Sequence, residues 1–541
     1  MASSERTSTG HEAMPRLTVP RTNGSVLRVP DQSAASELLI QNGQRLGESE
    51  IPLQGMSLGR LRQWVRAEIL DRAADYTGSL TGDGFENPGG GPLIVTGHQP
   101  ELFHAGVWTK NFAAAGLARQ NHGLAVNLII DNDLLETTSI LVPLGTREAP
   151  HLELIAFDAA RHQQPWEEAT VLDLDSLRDF GQRIESLIDQ NWHYQPLVTN
   201  GWPEAIKQAG HSQKLHDCLT AARVAVERSM GVQNLEIPMS RVCETDPFRW
   251  FVAHLLGHLD SFHPIYNEAI REYRRVNRLR SGTHPVPELE TRDSWLEAPF
   301  WIWKSGALLR DRLFVRRVAD ELQLRDQQEI ITRFPTSADG SAEEAVTALA
   351  GLSERGIRLR TRALTTTLFA RIFLADLFVH GIGGAKYDVM TDRICDQFYR
   401  LAPPQFLTVS ATLHLPLGEI WPVAPEDLGR LNHRLRDMTY NPDRHLVSFL
   451  EPEAEALVAE KRQLINAFAS RRPTALEHRE ISEINAKLAP FAEPTRILCQ
   501  QQRLDQKRLL SANSILQNRE FSWCLHSEES IRSTLLAEFL R

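Results

Sequence analysis

The chain has 541 residues, 42% hydrophobic and 24% charged, with a formal net charge of -10 at pH 7. That length exceeds what one hydrophobic core usually serves, so two or three domains are expected, and the acidic balance offers no general basic footprint for nucleic acid or an acidic membrane. The cysteines, Cys218, Cys243, Cys395, Cys499 and Cys524, form no CxxC pair; no segment is apolar enough to span a membrane and the first forty residues are too polar for a signal peptide, so a reduced, cytoplasmic protein is expected.

In chain order, residues 1 to about 50 read as an irregular lead-in with one strand near Ser25–Val29. From Ser57 a helix is predicted, with Leu61, Trp64, Val65 and Ile69 on one face and Ser57 at its N-cap. GDGFENPGGGP, Gly82 to Pro92, then breaks any regular element. PLIVTG reads as a buried strand, Gly106 to Gln120 as a helix and LAVNLIIDND as a second strand ending in acids, with SILVPL and HLELIAF as two further strands. Alternation of this kind predicts a βαβ unit in a parallel sheet, with ligands gathered at the carboxyl ends of its strands. Residues 175 to 282 look mainly helical, and Pro299 to Val318 returns to strands around a Lys304-Ser305-Gly306 turn. An apolar helix is predicted over Ala363 to Val379, running into the Gly-rich HGIGGAKYD. Beyond Pro425, the 3,4,3 spacing of Leu428, Leu431, Leu435 and Met438, repeated at Ile481, Ile484 and Leu488, predicts a helical hairpin or short coiled coil.

Candidate chemistry concentrates at the strand ends. In VTGHQPELFHAGVWTKNF the turn residues Thr96, Gly97 and Gln99 precede a helix start, where free N–H groups attract anions. His98 and His104 can donate to a phosphate or carboxylate and titrate near neutrality, Lys110 would add a positive charge, and Asn111 follows it. Asp131, Asn132 and Asp133 end the next strand, where carboxylates can hold an amine, a ribose hydroxyl or Mg²⁺ and an amide can both donate and accept. His380, Gly381, Gly383, Gly384 and Lys386 form a second anion-binding candidate, although neither standard nucleotide-loop pattern is present; a helix C-cap at Gly381 is the plainer reading. His254 and His258 stand at i, i+4 with His263 beyond, but lack the glutamate of a zinc-protease motif. No metal site is assigned, and no thiol or serine carries a nucleophile motif.

Taken together, VTGHQPELFHAGVWTKNFAAAGLA, VNLIIDNDLLET and HGIGGAKYD resemble, in order and placement, segments of the bacillithiol biosynthesis cysteine-adding enzyme family, BshC. His98 stands where that family has a loop glutamine, the acidic strand end lacks its histidine, and Gly384-Ala385-Lys386 replaces a Gly-Pro-Gly-Glu type run. The resemblance implies an α/β fold: a Rossmann-like, nucleotidyltransferase-like core over 92–424 with a helical insertion about 175–298, preceded by a lead-in and helix over 1–91 and followed by a C-terminal α-helical coiled coil over 425–541. The implied activity is ATP-dependent condensation of a small-molecule carboxylate with an amine, as when cysteine is joined to glucosaminyl malate. His98 and His104 would hold phosphates, Asp131 or Asp133 would orient an ammonium group or Mg²⁺, Asn132 would hydrogen-bond it, and Lys386 would add a second anion contact. Two alternatives stay open: a scaffold that dimerises through its C-terminal helices and keeps only a vestigial nucleotide pocket, and a metal hydrolase built on His254 and His258.

Overall fold

In the computed structural model the described residues are 17–82, 84, 91–335, 340–446, 451–467 and 471–540, so most of the Gly82–Pro92 break lies outside them. The chain divides into two compact units: one takes the described residues up to Val142, Leu154–Leu415 and those from Arg519 onward, the other Pro143–Glu153 and Pro416–Asn518. The final segment thus belongs with the first unit, and the helical region expected over 425–541 stops short of it.

The first unit begins with β1 (Ser25–Val29), α1 (Gln32–Gly47), α2 (Leu58–Thr81), β2 (Leu93–His98), α3 (Ala105–Gln120) and β3 (Leu124–Ile129). A hairpin of β4 (Ser139–Thr146) and β5 (Ala149–Ala156) follows, its tip belonging to the second unit. Helices α4 (Leu174–Trp192), α5 (Val198–Ala209) and α6 (Leu215–Ser229) lead to β6 (Leu235–Pro238). Next come α7 (Met239–Cys243), α8 (Asp246–Gly257) and α9 (Leu259–Val276), then β7 (Trp295–Lys304), β8 (Asp311–Val318), β9 (Glu321–Arg325) and β10 (Ile330–Pro335). The unit continues through α10 (Glu343–Glu354), β11 (Ile357–Thr361), α11 (Ala363–Phe369), β12 (Leu377–His380), α12 (Ile382–Phe398) and β13 (Leu407–Thr412).

The central sheet runs β1-β13-β12-β2-β3-β6. Only the β1–β13 pairing is antiparallel; all the others are parallel. Numbered along the chain, the parallel strands lie in the order 3-2-1-4-5, so the direction of winding reverses between β2 and β12. Leu93, Ile94, Val95 and Thr96 are all buried, as expected of a strand covered on both faces. Helix α3 packs on β2, β3 and β13, and α2 on β6. A second sheet, β10-β9-β8-β7-β11, is antiparallel throughout, with Gly306 at φ +81° in the expected turn.

Two expectations are corrected. The lead-in is not irregular, because α1 occupies Gln32–Gly47, capped by the Asp31 side chain. Nor does one helix span Ala363 to Val379: α11 passes into a π-helical turn over Ala370–Leu374, after which the chain turns and enters β12. Asp376 supplies the reason. Its carboxylate accepts from Leu93 N at 2.6 Å, from Arg66 at 2.7 Å and from Arg62, which ties the start of β12 to the start of β2. An apolar run alone does not distinguish a buried helix from a buried strand.

In the second unit α13 (Pro425–Tyr440) and α14 (Pro452–Ala467) lie against the 42-residue α15 (Ala475–Leu516). Leu428, Leu431 and Leu435 are half-buried and Met438 buried, so the 3,4,3 stripe is the packed face. Among the described residues no helix is long and apolar enough to cross a membrane.

Candidate functional site

The site lies at the carboxyl ends of β2, β12 and β13, where α3 begins. Gly97 is inside β2 rather than in a turn, and it must be glycine because a Cβ there would stand 2.8 Å from the Leu128 carbonyl oxygen. Thr96 is buried beside it, its hydroxyl donating to Val379 O of β12 at 2.9 Å. Lys110 reaches under the crevice between these strands: its Nζ donates to Gly97 O at 2.5 Å, and its Cδ lies 3.9 Å from where a Cβ on Gly381 would be. It is not the fixed positive charge the sequence suggests, since burial, then Arg223, pushes its ammonium down to about 7.

The two loop histidines are also held neutral. His98 Nδ1 faces Gln99 O at 3.3 Å and its ring packs edge-on to Phe103; burial, then Lys110 and His104, lowers it to about 3. His104 is the N-cap of α3, its Nδ1 accepting from Gly106 N at 3.1 Å, which leaves the neutral ring's proton on Nε2. Burial, Arg519 and Lys110 lower it to about 4.

Other predicted residues are committed elsewhere. Asp131 is fully buried and bound through both carboxylate oxygens to Ser240, Oδ1 accepting its N–H at 2.8 Å and Oδ2 its hydroxyl, so the amine or Mg²⁺ role expected for it is replaced by a structural one. The Asn132 side-chain amide donates to Thr361 O at 2.8 Å, and its main-chain carbonyl accepts from Arg310. Asp133 accepts from Gln99 Nε2 at 2.8 Å and Arg310 at 3.1 Å, joining the β2 loop to the end of β3. Asn111 turns away from the site to Glu227, at 2.7 Å. The expected C-cap at Gly381 is an N-cap, that of α12, whose first turn holds Gly383 and Gly384 and whose second opens with the exposed Lys386. His380 closes β12 and is oriented by Asp388 through a 2.7 Å bond; burial alone would raise the Asp388 carboxyl, but Arg371 and His380 hold it well below the carboxylate range. The His254 and His258 rings lie 4.5 Å apart, tilted by 43°, with the His258 ring on the His254 carbonyl and both near Phe398. Among the described residues no group of three His, Cys, Asp or Glu side chains could hold a metal.

Sequence reasoning missed four residues of the site. Glu101, inside the stretch first singled out, is pushed up to about 7 by burial and then by Glu136 and Asp133. The other three come from far along the chain. Arg519 bonds Ser410 of β13 at 3.3 Å and crowds the first turn of α3 so closely that a Cβ on Gly106 would be 2.1 Å from its Nη2. His526 is wholly buried, with neither ring nitrogen bonded; burial, His104 and His414 lower it to about 3. His414, just after β13, is lowered by burial and by Arg519. Docking of the C-terminal segment brings them in: Trp523 N donates to Phe103 O at 2.8 Å, Ser522 bridges to His104, and Trp523 packs on Trp108 at 5.2 Å. A local motif search cannot find such residues, because over a hundred positions separate Arg519 and His526 from the strands they meet.

No family model matches this chain, and no curated protein matches it.

Proposed function

We propose that this protein is an ATP-dependent carbon–nitrogen ligase with a Rossmann-like, nucleotidyltransferase-like core, acting on small molecules in the manner of the cysteine-adding enzymes it resembles. The observation that carries this reading is the concentration of Lys110, His98, His104 and Arg519 around the start of α3, next to the crevice where the parallel strand order reverses. Open α/β sheets bind ligands at that crevice, and a helix start favours phosphate. A carboxylate is a poor electrophile and must be activated, as an acyl phosphate or acyl adenylate, before an amine attacks it; ATP would supply the phosphoryl or adenylyl group. Arg519 and His98 would hold its phosphates and stabilise the charge developing on them. Glu101, poised near neutrality, takes the proton from the attacking amine. Asp131 and Asp133 already accept from protein donors, so no step is assigned to Mg²⁺. Exposed Ile497, Leu498 and Leu504 on α15 support a homodimer through the C-terminal helices, which sedimentation tests.

Thermal unfolding with ATP, ADP and AMP tests the reading: ligand at 100 times its dissociation constant is expected to add about 2.7 kcal/mol of stability. No shift with any nucleotide would leave the non-catalytic scaffold as the better reading. With cysteine and glucosaminyl malate as substrates, Glu101→Gln is expected to lower turnover by about 10²- to 10⁴-fold while nucleotide still binds. Undiminished turnover would remove Glu101 from the mechanism.

A further inference from the structure

Two helices start beside the crevice where the strand order reverses, α3 after β2 and α12 after β12, and their amides are used differently. At α3 they are taken: Gly106 N donates to the His104 ring at 3.1 Å, and Val107 and Trp108 to the His104 carbonyl at 3.0 and 3.2 Å. At α12 they are free. Gly381 supplies no side-chain cap, and among the described residues the N–H groups of Ile382, Gly383 and Gly384 make no hydrogen bond; Ala385 is the first to bond back, to Gly381 O at 3.0 Å. Solvent reaches this turn, because Gly383 and Gly384 are exposed and nothing lies within 4 Å of where a Cβ on Gly383 would stand.

A buried side chain is aimed into the same turn. His380, at 4% exposure, gives Nε2 to Asp388 at 2.7 Å, and its Nδ1 faces α12, 2.8 Å from where a Cβ on Gly384 would stand. That Nδ1 has no partner among the described residues, although buried polar atoms ordinarily pair. Thr408, its register partner on β13, adds a buried hydroxyl that is also unpartnered. The ring is fixed in this direction: Phe378 and Phe406 flank it at 4.5 and 4.8 Å, and Arg371 grips Asp388 at 2.5 Å and Asp392 at 2.6 Å. Two cations stand nearby, Lys110, whose Cδ is 3.9 Å from where a Cβ on Gly381 would be, and the exposed Lys386.

We propose that the start of α12 receives a phosphoryl oxyanion, whose oxygens accept from the free amides of Ile382, Gly383 and Gly384 while one proton is shared between the anion and His380 Nδ1. With Nε2–H donated to the Asp388 carboxylate, Nδ1 of the neutral ring carries a lone pair. The anion must therefore bring the proton, as hydrogen phosphate does, or the ring must take one from solvent. Gly384 is required because a side chain there would displace the ring. This inference deepens the ligase reading by adding a phosphate receptor on the β12 side of the crevice, and rests on that reading for ATP as the source.

Inorganic phosphate and sulfate at pH 8 are the probes, read by calorimetry and by the amide resonances of the full chain labelled at glycine with nitrogen-15. Phosphate is expected to shift the Gly383 and Gly384 amides saturably. It is also expected to bind about 10- to 100-fold more tightly than sulfate, which has no proton to share at that pH. His380→Phe keeps the ring packing but removes Nδ1, and is expected to erase the preference for phosphate. Gly384→Ala moves the ring while favouring the helix, so the fold holds, and phosphate is expected to weaken about tenfold or more. Unshifted glycine amides in the wild type, sulfate bound as tightly as phosphate, a preference retained in His380→Phe, or unchanged phosphate affinity in Gly384→Ala each overturns the inference. ATP separates it from the ligase reading. If phosphate behaves as described and ATP does not displace it, the site stands and the ligase reading falls. If ATP binds without shifting either glycine amide and binds Gly384→Ala with wild-type affinity, the ligase reading stands and this site falls.

Discussion

Helix α3 touches two buried polar clusters built on opposite rules. Midway along it, Trp108 and Asn111 donate to Glu227 Oε1 at 2.5 and 2.7 Å, and Arg223 bridges Glu227 and Glu236 at 2.6 to 3.0 Å, with Asn127 on Glu236 at 2.8 Å. Every carboxylate oxygen there accepts a hydrogen bond. At its first turn lies Arg519 with an unbonded Nε, and the C-terminal segment that brings it also carries His526, neither of whose ring nitrogens is bonded. A closed network has spent its bonding capacity on the fold, whereas an open cluster of one sign keeps capacity for something that arrives from solution. Burial raises the Glu236 carboxyl to about 7 even beside Arg223, so the closed cluster also holds its surplus acid near neutrality.

The contrast can be broken by mutation. Its largest expected effect falls on the closed side, where Glu227→Ala removes one of the two carboxylates on Arg223 and strands the Trp108 and Asn111 donors of α3. Two stranded buried donors are expected to cost about 2 to 5 kcal/mol in denaturant unfolding, and a loss below about 1 kcal/mol would show that the network is not what holds α3. Asp131→Ala should cost less, about 1 to 3 kcal/mol, because it strands the Ser240 amide and hydroxyl. ATP binding should survive that substitution; a selective loss of binding at unchanged stability would return Asp131 to the site.

Smallest, and most specific to the open cluster, is the pH dependence. His526 and His98 have folded values near 3 against 6.5 for the ordinary side chain, and His104 near 4. Between the folded and unfolded values the unfolded chain binds more protons, so stability rises with pH from about 3 to 6.5 and these groups add no slope above that window. Glu101, raised from 4.5 to about 7, acts in the opposite sense, stability falling with pH across that interval. Replacing His526 with phenylalanine is expected to reduce the acid-limb slope by up to about 1.4 kcal/mol per pH unit, measured by unfolding between pH 4 and 6. An unaltered slope would mean that His526 titrates in the folded protein as it does in the unfolded chain, contrary to its unpartnered burial.

How legible the site was depends on how far apart its residues lie. The strand at Leu93–His98, the helix after it and the strand ending at Asp131 could be read from periodicity because each is local, and so could the conjunction of His98, His104 and Lys110 at one strand end. What periodicity could not supply was direction. Asn111 follows Lys110 by one position and therefore points about 100° further around the helix, which sends it to Glu227 instead of the crevice. Asp131 and Asp133 looked equivalent, yet one is sealed by Ser240 and the other is shared between Gln99 and Arg310. HGIGGAKYD was misread for another local reason: the apolar run before it changes from helix to strand at Asp376, whose carboxylate is recruited by Arg62, Arg66 and the start of β2.

By itself the sequence determined that this is a mixed helix-and-strand chain, where its first parallel strands lie, and that titratable residues cluster at their ends, since these follow from residue spacing and turn chemistry within a few positions. The spatial order of the strands, the return of Arg519–His526 onto α3 and the depressed basicity of Lys110, His98 and His104 were decided only by the tertiary structure. The physical reason is that desolvation and charge proximity act through space, and in a 541-residue chain the groups that set a side chain's charge can be hundreds of positions away.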